Sequence, residues 1–435
     1  MAVVGLASAC STSEPDQAVE APLSAQTQAD AELVARQVAN RIYEPINRID
    51  VGPIERLGAS SDPRAAWIVA DALRFVGRGD ENDALIAAGE KLAGIELEPT
   101  TAWLKLNNHL LTEDVAAPPT YLALKAEMFE AVDITWTHFF SDPKADIDWR
   151  LVSFGGVRSD RRSYGTDESC LCIPSLDDPP SVPASEGDWY PDDEVVFGIV
   201  VNGEARAYPR NIMATHEMVN DVLGGQRLGI AYCTLCRSAH AYLLDDLPDE
   251  FDQAALRTSG LLNRSNKITM DLQTLSMVDT FTGRALSGPW REAGIELTAL
   301  PVVVTTWVEW RNGYPNTTLM AGKNGTGPIY PLELIQPIVD GGLAFPVGRV
   351  DRTLFPETAV LGVIGPDGQP VAFERSAART ALAAGDAVAF EDIQLILDAG
   401  GLRAFDEDGI ALRSHEASWF AWSQFNPETL LWRHS

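Results

Sequence analysis

The chain has 435 residues, 46% hydrophobic and 22% charged, which is the composition of a folded protein of two or three domains and excludes a disordered one. A formal net charge of −29, without any useful Lys/Arg cluster, excludes binding that depends on a nucleic-acid backbone. Acidity also keeps a protein away from anionic lipid headgroups, so membrane contact is expected only through a covalent lipid. A generally acidic host proteome accounts for the charge as well as a cationic partner does.

At the N-terminus, Val3-Val4-Gly5-Leu6-Ala7-Ser8-Ala9 is a short run of small apolar residues ending at Cys10, followed by polar Ser-Thr-Ser-Glu-Pro-Asp-Gln. This resembles the end of a bacterial lipoprotein signal, whose Cys is lipidated and becomes the mature N-terminus. Ala7 stands where a larger aliphatic residue is usual, and no Lys or Arg precedes the run. A start codon placed too far downstream would explain the missing charge; the alternative is a frayed cytosolic terminus with a chance Cys. The resemblance implies an extracytoplasmic protein, anchored by lipid on Cys10, with residues 11–28 as a flexible tether rich in Ser, Glu, Pro, Gln and Asp. No other segment has the roughly 18 unbroken apolar residues that would span a bilayer. Export makes disulfides the default for the four remaining cysteines, Cys170, Cys172, Cys233 and Cys236.

The expected fold class is α+β, with a helical domain over residues 29–145 followed by a β-rich domain over 170–432. Leu33, Val34, Val38, Ile42 and Ile46 recur at helical spacing. Ala65 to Val76 repeats the pattern behind Asp62-Pro63, and Ala84 to Leu92 continues it up to Gly94. Short helices divided by Gly and Asp-Pro resemble a small HEAT-type array, which would hold a protein partner on its concave face. The plainer reading is a helical cap on the next domain. Ser141-Asp142-Pro143 and the polar stretch from Ser159 to Glu168 mark a boundary and a long loop, kept extended by Pro174, Pro179, Pro180 and Pro183.

Val195 to Val201 is apolar and β-branched, Asn202-Gly203 follows, and Glu204 to Tyr208 alternates. That predicts a hairpin, because Asn-Gly accepts the positive φ angles of a type I′ turn. Ala359 to Ile364, Asp367-Gly368 and Val371 to Phe373 repeat the arrangement, so duplicated hairpin units are expected. Further strands are expected at 226–232, 238–244, 267–273 and 388–397. Between the first hairpin and the second Cys pair, Ile212, Met213, His216, Val219, Asn220 and Leu223 share one face at helical spacing, and Gly224-Gly225 reads as the stop of a helix over 211–223.

Cys233-Thr234-Leu235-Cys236 follows the apolar run Leu228 to Ala231. Two thiols at this spacing can grip a soft metal, cycle as a redox disulfide or staple a loop. Taken with Gly203-Glu-Ala-Arg-Ala-Tyr-Pro209 and Thr215-His216-Glu217-Met218-Val219-Asn220-Asp221, the motif resembles the DUF3179 family. Ser259-Gly260-Leu261-Leu262, Ser265-Asn266, Thr305-Thr306-Trp307 with Trp310, and Trp419-Phe420-Ala421-Trp422 with Phe425-Asn426-Pro427-Glu428-Thr429 extend the resemblance in order. It implies an exported bacterial protein and no settled activity. The family commonly has Cys-Pro-x-Cys-Gly, whereas Thr234 and Arg237 stand at the Pro and Gly positions here. Cys170 and Cys172 look like a local addition.

Two functional readings remain open. In the first, Cys233, Cys236 and His216 bind zinc or copper, with Asn220 orienting the imidazole, His240 as a spare ligand and Cys170 and Cys172 able to join, or the thiols serve redox chemistry. A thioredoxin-type pair sits at a helix N-terminus, which the strand context here lacks, so Arg237 would be the activating cation. In the second, the protein is a non-enzymatic binding or scaffold module with structural disulfides. A disulfide within either pair, or two bridges between the pairs, fits export; Cys-Leu-Cys is too short for an easy internal bridge, a strain that cross-pairing to Cys233 and Cys236, or four sulfurs on one zinc, would answer. There is no Gly-x-Ser-x-Gly, no phosphate-binding Gly loop with Lys and no His-Glu-x-x-His. Gly322 to Gly327 reads as a loop, Glu217 and Asp221 as one helical turn that an exposed acidic face explains as well as acid–base work does, and the Trp-rich closing segment as core. No substrate is legible.

Overall fold

A computed structural model of the chain describes residues 21–321, 330–332, 338–339 and 342–434. The lipoprotein-type segment with Cys10 and the Gly-rich loop 322–327 lie outside the described residues. Helices fill the N-terminal part, and small sheets in a five-bladed, propeller-like arrangement fill the rest. Among the described residues no helix is long and apolar enough to cross a membrane.

The first helix, Ala25–Tyr43, starts inside the expected tether because Ser24 caps it, accepting a hydrogen bond from Thr27 N at 3.2 Å. It ends before Ile46, which is left 88% exposed. Ala66–Phe75 and Asp80–Ala93 fall where the apolar periodicity placed them, the latter closed by Gly94 at φ +68°. The helices share one apolar core with the sheet built from Val152–Phe154, Leu256–Asn263, Asn266–Asp271 and Met277–Asp279. Trp136 Nε1 donates to Ser259 O at 2.8 Å across that junction. The helical part therefore covers this sheet.

The Asn202-Gly203 turn forms as its chemistry requires, with φ +49° and +82°, joining Val195–Val201 to Glu204–Pro209. Residues 211–223 differ from the expected helix. Only Arg210–His216 is helical, and Met218–Leu223 is a strand paired with Gln226–Cys233. Gly224 and Gly225, at φ +57° and +76°, are the hairpin turn between these strands rather than a helix stop. The apolar positions 219 and 223 satisfy an alternating strand as well as a helical face, and the Gly-Gly turn with a partner strand decides for the strand.

Two sheets share a plan. In one, Val303–Thr306 pairs antiparallel with the first hairpin strand and Thr318–Met320 parallel with the second; in the other, Ser414–Ser418 and Leu430–Trp432 do the same to Ala359–Ile364 and Pro370–Glu374. A short helix follows the antiparallel strand each time, Trp307–Gly313 and Trp419–Phe425. Its second Trp lies flat on a strand glycine: a Cβ on Gly198 would come within 2.3 Å of Trp310, and one on Gly362 within 2.1 Å of Trp422. Each indole N–H donates to a threonine seven residues later, Thr317 and Thr429, at 2.9 Å in both cases.

Candidate functional site

Gln226–Cys233 lies in the middle of a five-stranded sheet, and the turn 234–237 joins it to Ser238–Leu243. Arg237 closes that turn at φ +53°, a left-handed conformation that a glycine adopts more easily. The turn faces the tip of another sheet's hairpin, Leu256–Asn263 and Asn266–Asp271, where Ser265 sits. Both sulfurs lie within hydrogen-bonding distance of Ser265 O, Cys233 Sγ at 3.6 Å and Cys236 Sγ at 3.3 Å. A third sheet closes the site from behind: Ser418 N donates to Cys236 O at 2.9 Å, and Trp419, Phe420 and Trp422 pack in one cluster with the two cysteines. Both are free thiols, 1% and 0% exposed.

The groups around them make the thiols unequal. Burial alone would push the Cys233 thiol up, but the hydrogen bond from Cys236 and the nearby Lys267 ammonium outweigh it and hold the thiol below its ordinary value. Burial, reinforced by Cys233, pushes Cys236 well up. Lys267 is itself buried and bonds Glu217, Nζ to Oε2 at 2.5 Å and to the carbonyl at 3.2 Å. Glu217 Oε1 in turn accepts from Thr234 Oγ1 at 3.0 Å. Glu217 ends the short helix at φ +56°, so it belongs neither to a helical turn with Asp221 nor to an acidic surface. Asp221 instead lies in a strand and pairs with Arg206 at 2.7 Å.

The expected ligand set does not assemble. His216 commits Nδ1 to Pro174 O at 2.6 Å and Nε2 to Tyr330 Oη at 2.9 Å. Asn220 lies on the strand rather than one helical turn on, and its amide bonds Asp177 and Leu256 O. Among the described residues, the group of three donors close enough to hold a metal is Asp160, Cys170 and Cys172. In that group the sulfurs are already joined: Cys170 and Cys172 form an internal disulfide with Cα atoms 5.1 Å apart. That corrects the alternative of cross-pairing to Cys233 and Cys236. The bridge closes because Leu171 is turned outward, 72% exposed, while its carbonyl accepts from Arg158 N at 2.8 Å. Asp160, moreover, is bound on both oxygens by Arg162.

His240, the spare ligand candidate, lies in strand Ser238–Leu243. It is buried, with its ring 4.3 Å from that of His415 and its Nε2 3.0 Å from Ser238 Oγ. Burial, aided by Arg413, lowers His415 to about 3. An unfolded His titrates near ~6.5, so the unfolded chain binds the extra proton first and stability contributed by His415 is lost as pH falls from about 6.5 towards 3. Burial raises the adjacent Glu416 to about 7, which acts in the opposite sense. Comparison with His415→Phe isolates the histidine. The stability difference between wild type and this variant is expected to shift against the wild type by about 2 kcal/mol between pH 7 and 5 in urea titrations.

Beside the thiol turn lies a cavity of about 150 Å³, walled by Thr234, Leu235, Glu217 and Lys267 on one side and by Val157, Ile173, Leu261, Ile268 and Phe345 on the other. Lys267 and Ser265 were not singled out by residue chemistry, although Ser265 stood in the matching strings; both reach the site through a hairpin whose position depends on long-range packing.

A family model described as a protein of unknown function, DUF3179, matches residues 171–414, more than half of the chain. The chain belongs to the DUF3179 family. No curated protein and no solved structure matches it. The DUF3179 match contains both thiols, Glu217, Ser265 and Lys267, and it begins between the two sulfurs of the Cys170–Cys172 bridge.

Proposed function

We propose that this DUF3179 protein is a thiol–disulfide oxidoreductase whose centre is the Cys233/Cys236 pair. The observation that carries the reading is the convergence of two buried free thiols on one carbonyl, Ser265 O, beside a Lys–Glu pair that opens onto a cavity. Cys233, favoured as thiolate by Lys267 and by the Cys236 S–H, is the attacking sulfur. Cys236, kept protonated by burial, resolves the mixed disulfide. Thiol counting in redox buffers of known potential tests this: two thiols should disappear together and reversibly, and Cys233→Ser should abolish the transition. Stoichiometric zinc or copper that is lost on Cys233→Ser, or thiols that never oxidise reversibly, would overturn it. Lys267→Met should slow alkylation of Cys233 at pH 7, because the ammonium that favours the thiolate is gone.

The same reading places the protein outside the cytoplasm, held to a membrane by a lipid on Cys10. The N-terminal run before Cys10 and the bridged Cys170–Cys172 pair support it. Cys10→Ser should move the protein from the membrane to the soluble fraction; unchanged partitioning would refute the anchor. The two sheets with a Trp on a strand glycine are inferred to be copies of one duplicated unit, and the two glycines should then respond alike to an added methyl group.

A further inference from the structure

Solvent does not reach either sulfur: Cys233 is 1% and Cys236 0% exposed. A disulfide on a folded protein surface cannot be brought into line with a sulfur at that depth, because attack needs the three sulfurs collinear and in contact. Whatever the pair acts on must enter the molecule. The cavity of about 150 Å³ touches the thiol turn itself, through Thr234 and Leu235. A cavity of that volume accepts a molecule of roughly benzene's size. Leu235 and Phe345 also line the smaller hollow that contains Ser265, the residue on whose carbonyl both sulfurs converge. Leu235, the residue before Cys236, therefore lines both hollows.

The walls specify the chemistry of the occupant. Val157, Ile173, Leu261, Ile268 and Phe345 are apolar and favour an apolar body. Lys267 and Glu217 satisfy each other, and Thr234 bonds the second Glu217 oxygen, so the polar end of the cavity is internally neutral. A net charge brought beside such a pair would be desolvated without a counter-ion, and would be rejected. A hydroxyl or carbonyl can share the hydrogen bonds there without that cost.

We propose that this cavity is the substrate site of the thiol pair and that its substrate is a small, uncharged dialkyl disulfide with an apolar body and a hydroxyl or carbonyl head. The assignment rests on the thiol–disulfide reading above. In the reaction, the Cys233 thiolate attacks one sulfur of R–S–S–R, forming Cys233–S–S–R and expelling one thiolate, which takes up the proton Cys233 gave up. Cys236, as thiolate, then attacks Cys233 Sγ, forms the Cys233–Cys236 bond and expels the second thiolate, which takes the Cys236 proton. Two protein thiols and one disulfide become one protein disulfide and two small thiols. Leu235 is a positioning residue that sets how large a disulfide can pass.

The test uses the full chain and 2-hydroxyethyl methyl disulfide, close to benzene in size, as probe, with oxidised glutathione as the large, charged comparison. Reduced wild type should be oxidised by the probe at least tenfold faster than by oxidised glutathione, and Leu235→Ala should narrow that preference. Binding is measured separately by calorimetry on the Cys233→Ser/Cys236→Ser double variant, which cannot react. The probe should bind it, and Ile173→Trp, which fills the cavity, should weaken binding at least tenfold. Val157→Phe serves the same purpose should Ile173→Trp unfold, and thermal melts identify which variant is folded. Equal rates for the two disulfides, or binding indifferent to both fillers, would overturn the substrate assignment. If the double variant binds the probe in the cavity while no disulfide of any size oxidises the wild-type thiols, the thiol–disulfide reading fails and the cavity remains a site for small neutral ligands.

Discussion

Arg257→Met is expected to lower stability by about 3–5 kcal/mol, measured as the shift in urea unfolding at constant slope. Arg257 is fully buried, and its guanidinium grips Asp177 with two bonds of 2.6 and 2.7 Å, while Asp160 lies 4.0 Å from Nε. Removing the cation leaves the Asp177 carboxylate at the end of a two-residue strand, Leu176–Asp177, with Asn220 Nδ2 and Gly165 N as its remaining donors. The penalty is that of a stranded buried charge, not of a lost contact, so the double variant Arg257→Met/Asp177→Leu should recover most of it. A double variant as unstable as the single one would show that packing of the arginine stem, not its charge, matters here. The effect should reach the cavity as well. Ile173, which lines it, lies three residues before Leu176 and bonds Thr258 Oγ1 through its carbonyl at 2.7 Å.

Gly362→Ala is expected to destabilise by about 3 kcal/mol, near the upper end of overpacking penalties. The added methyl would meet Trp422 ring carbons at 2.1 to 2.4 Å, and the ring cannot swing away without giving up its bond to Thr429. Gly198→Ala should cost a similar amount, since Trp310 is held over it in the same way by Thr317. Chemical denaturation of both single variants checks this. A loss of under about 1 kcal/mol at one site and a large loss at the other would speak against two copies of one unit.

Much of the β framework could be read in the residues because its rules are local. Asn202-Gly203 requires a type I′ turn, the alternating or β-branched runs at 195–201, 226–232 and 238–244 require strands, and Gly94 ends its helix at positive φ. Residues 211–223 failed for an instructive reason. Positions 212, 216, 219 and 223 fit a helical face, and the apolar positions 219 and 223 also fit one face of a strand, so only the partner strand Gln226–Cys233 resolves them. The cysteine motif was legible as chemistry, but its surroundings were not. Lys267 and Ser265 lie some thirty residues further along the chain and arrive by packing of one sheet against another. His216 lay close in sequence and plausible in chemistry, yet a single carbonyl, Pro174 O, and the Tyr330 hydroxyl occupy its ring instead.

The closing helix Trp419–Phe425 has one further property. Trp419 and Trp422 are buried in the same cluster as Cys233 and Cys236, and strand Ser414–Ser418, from which the helix springs, is tied to the thiol turn through Ser418 N and Cys236 O. Indole emission is sensitive to neighbouring sulfur and to small shifts of its packing. If the pair cycles as proposed, its oxidation should therefore change the protein's own ultraviolet fluorescence, which can be followed in real time without a label.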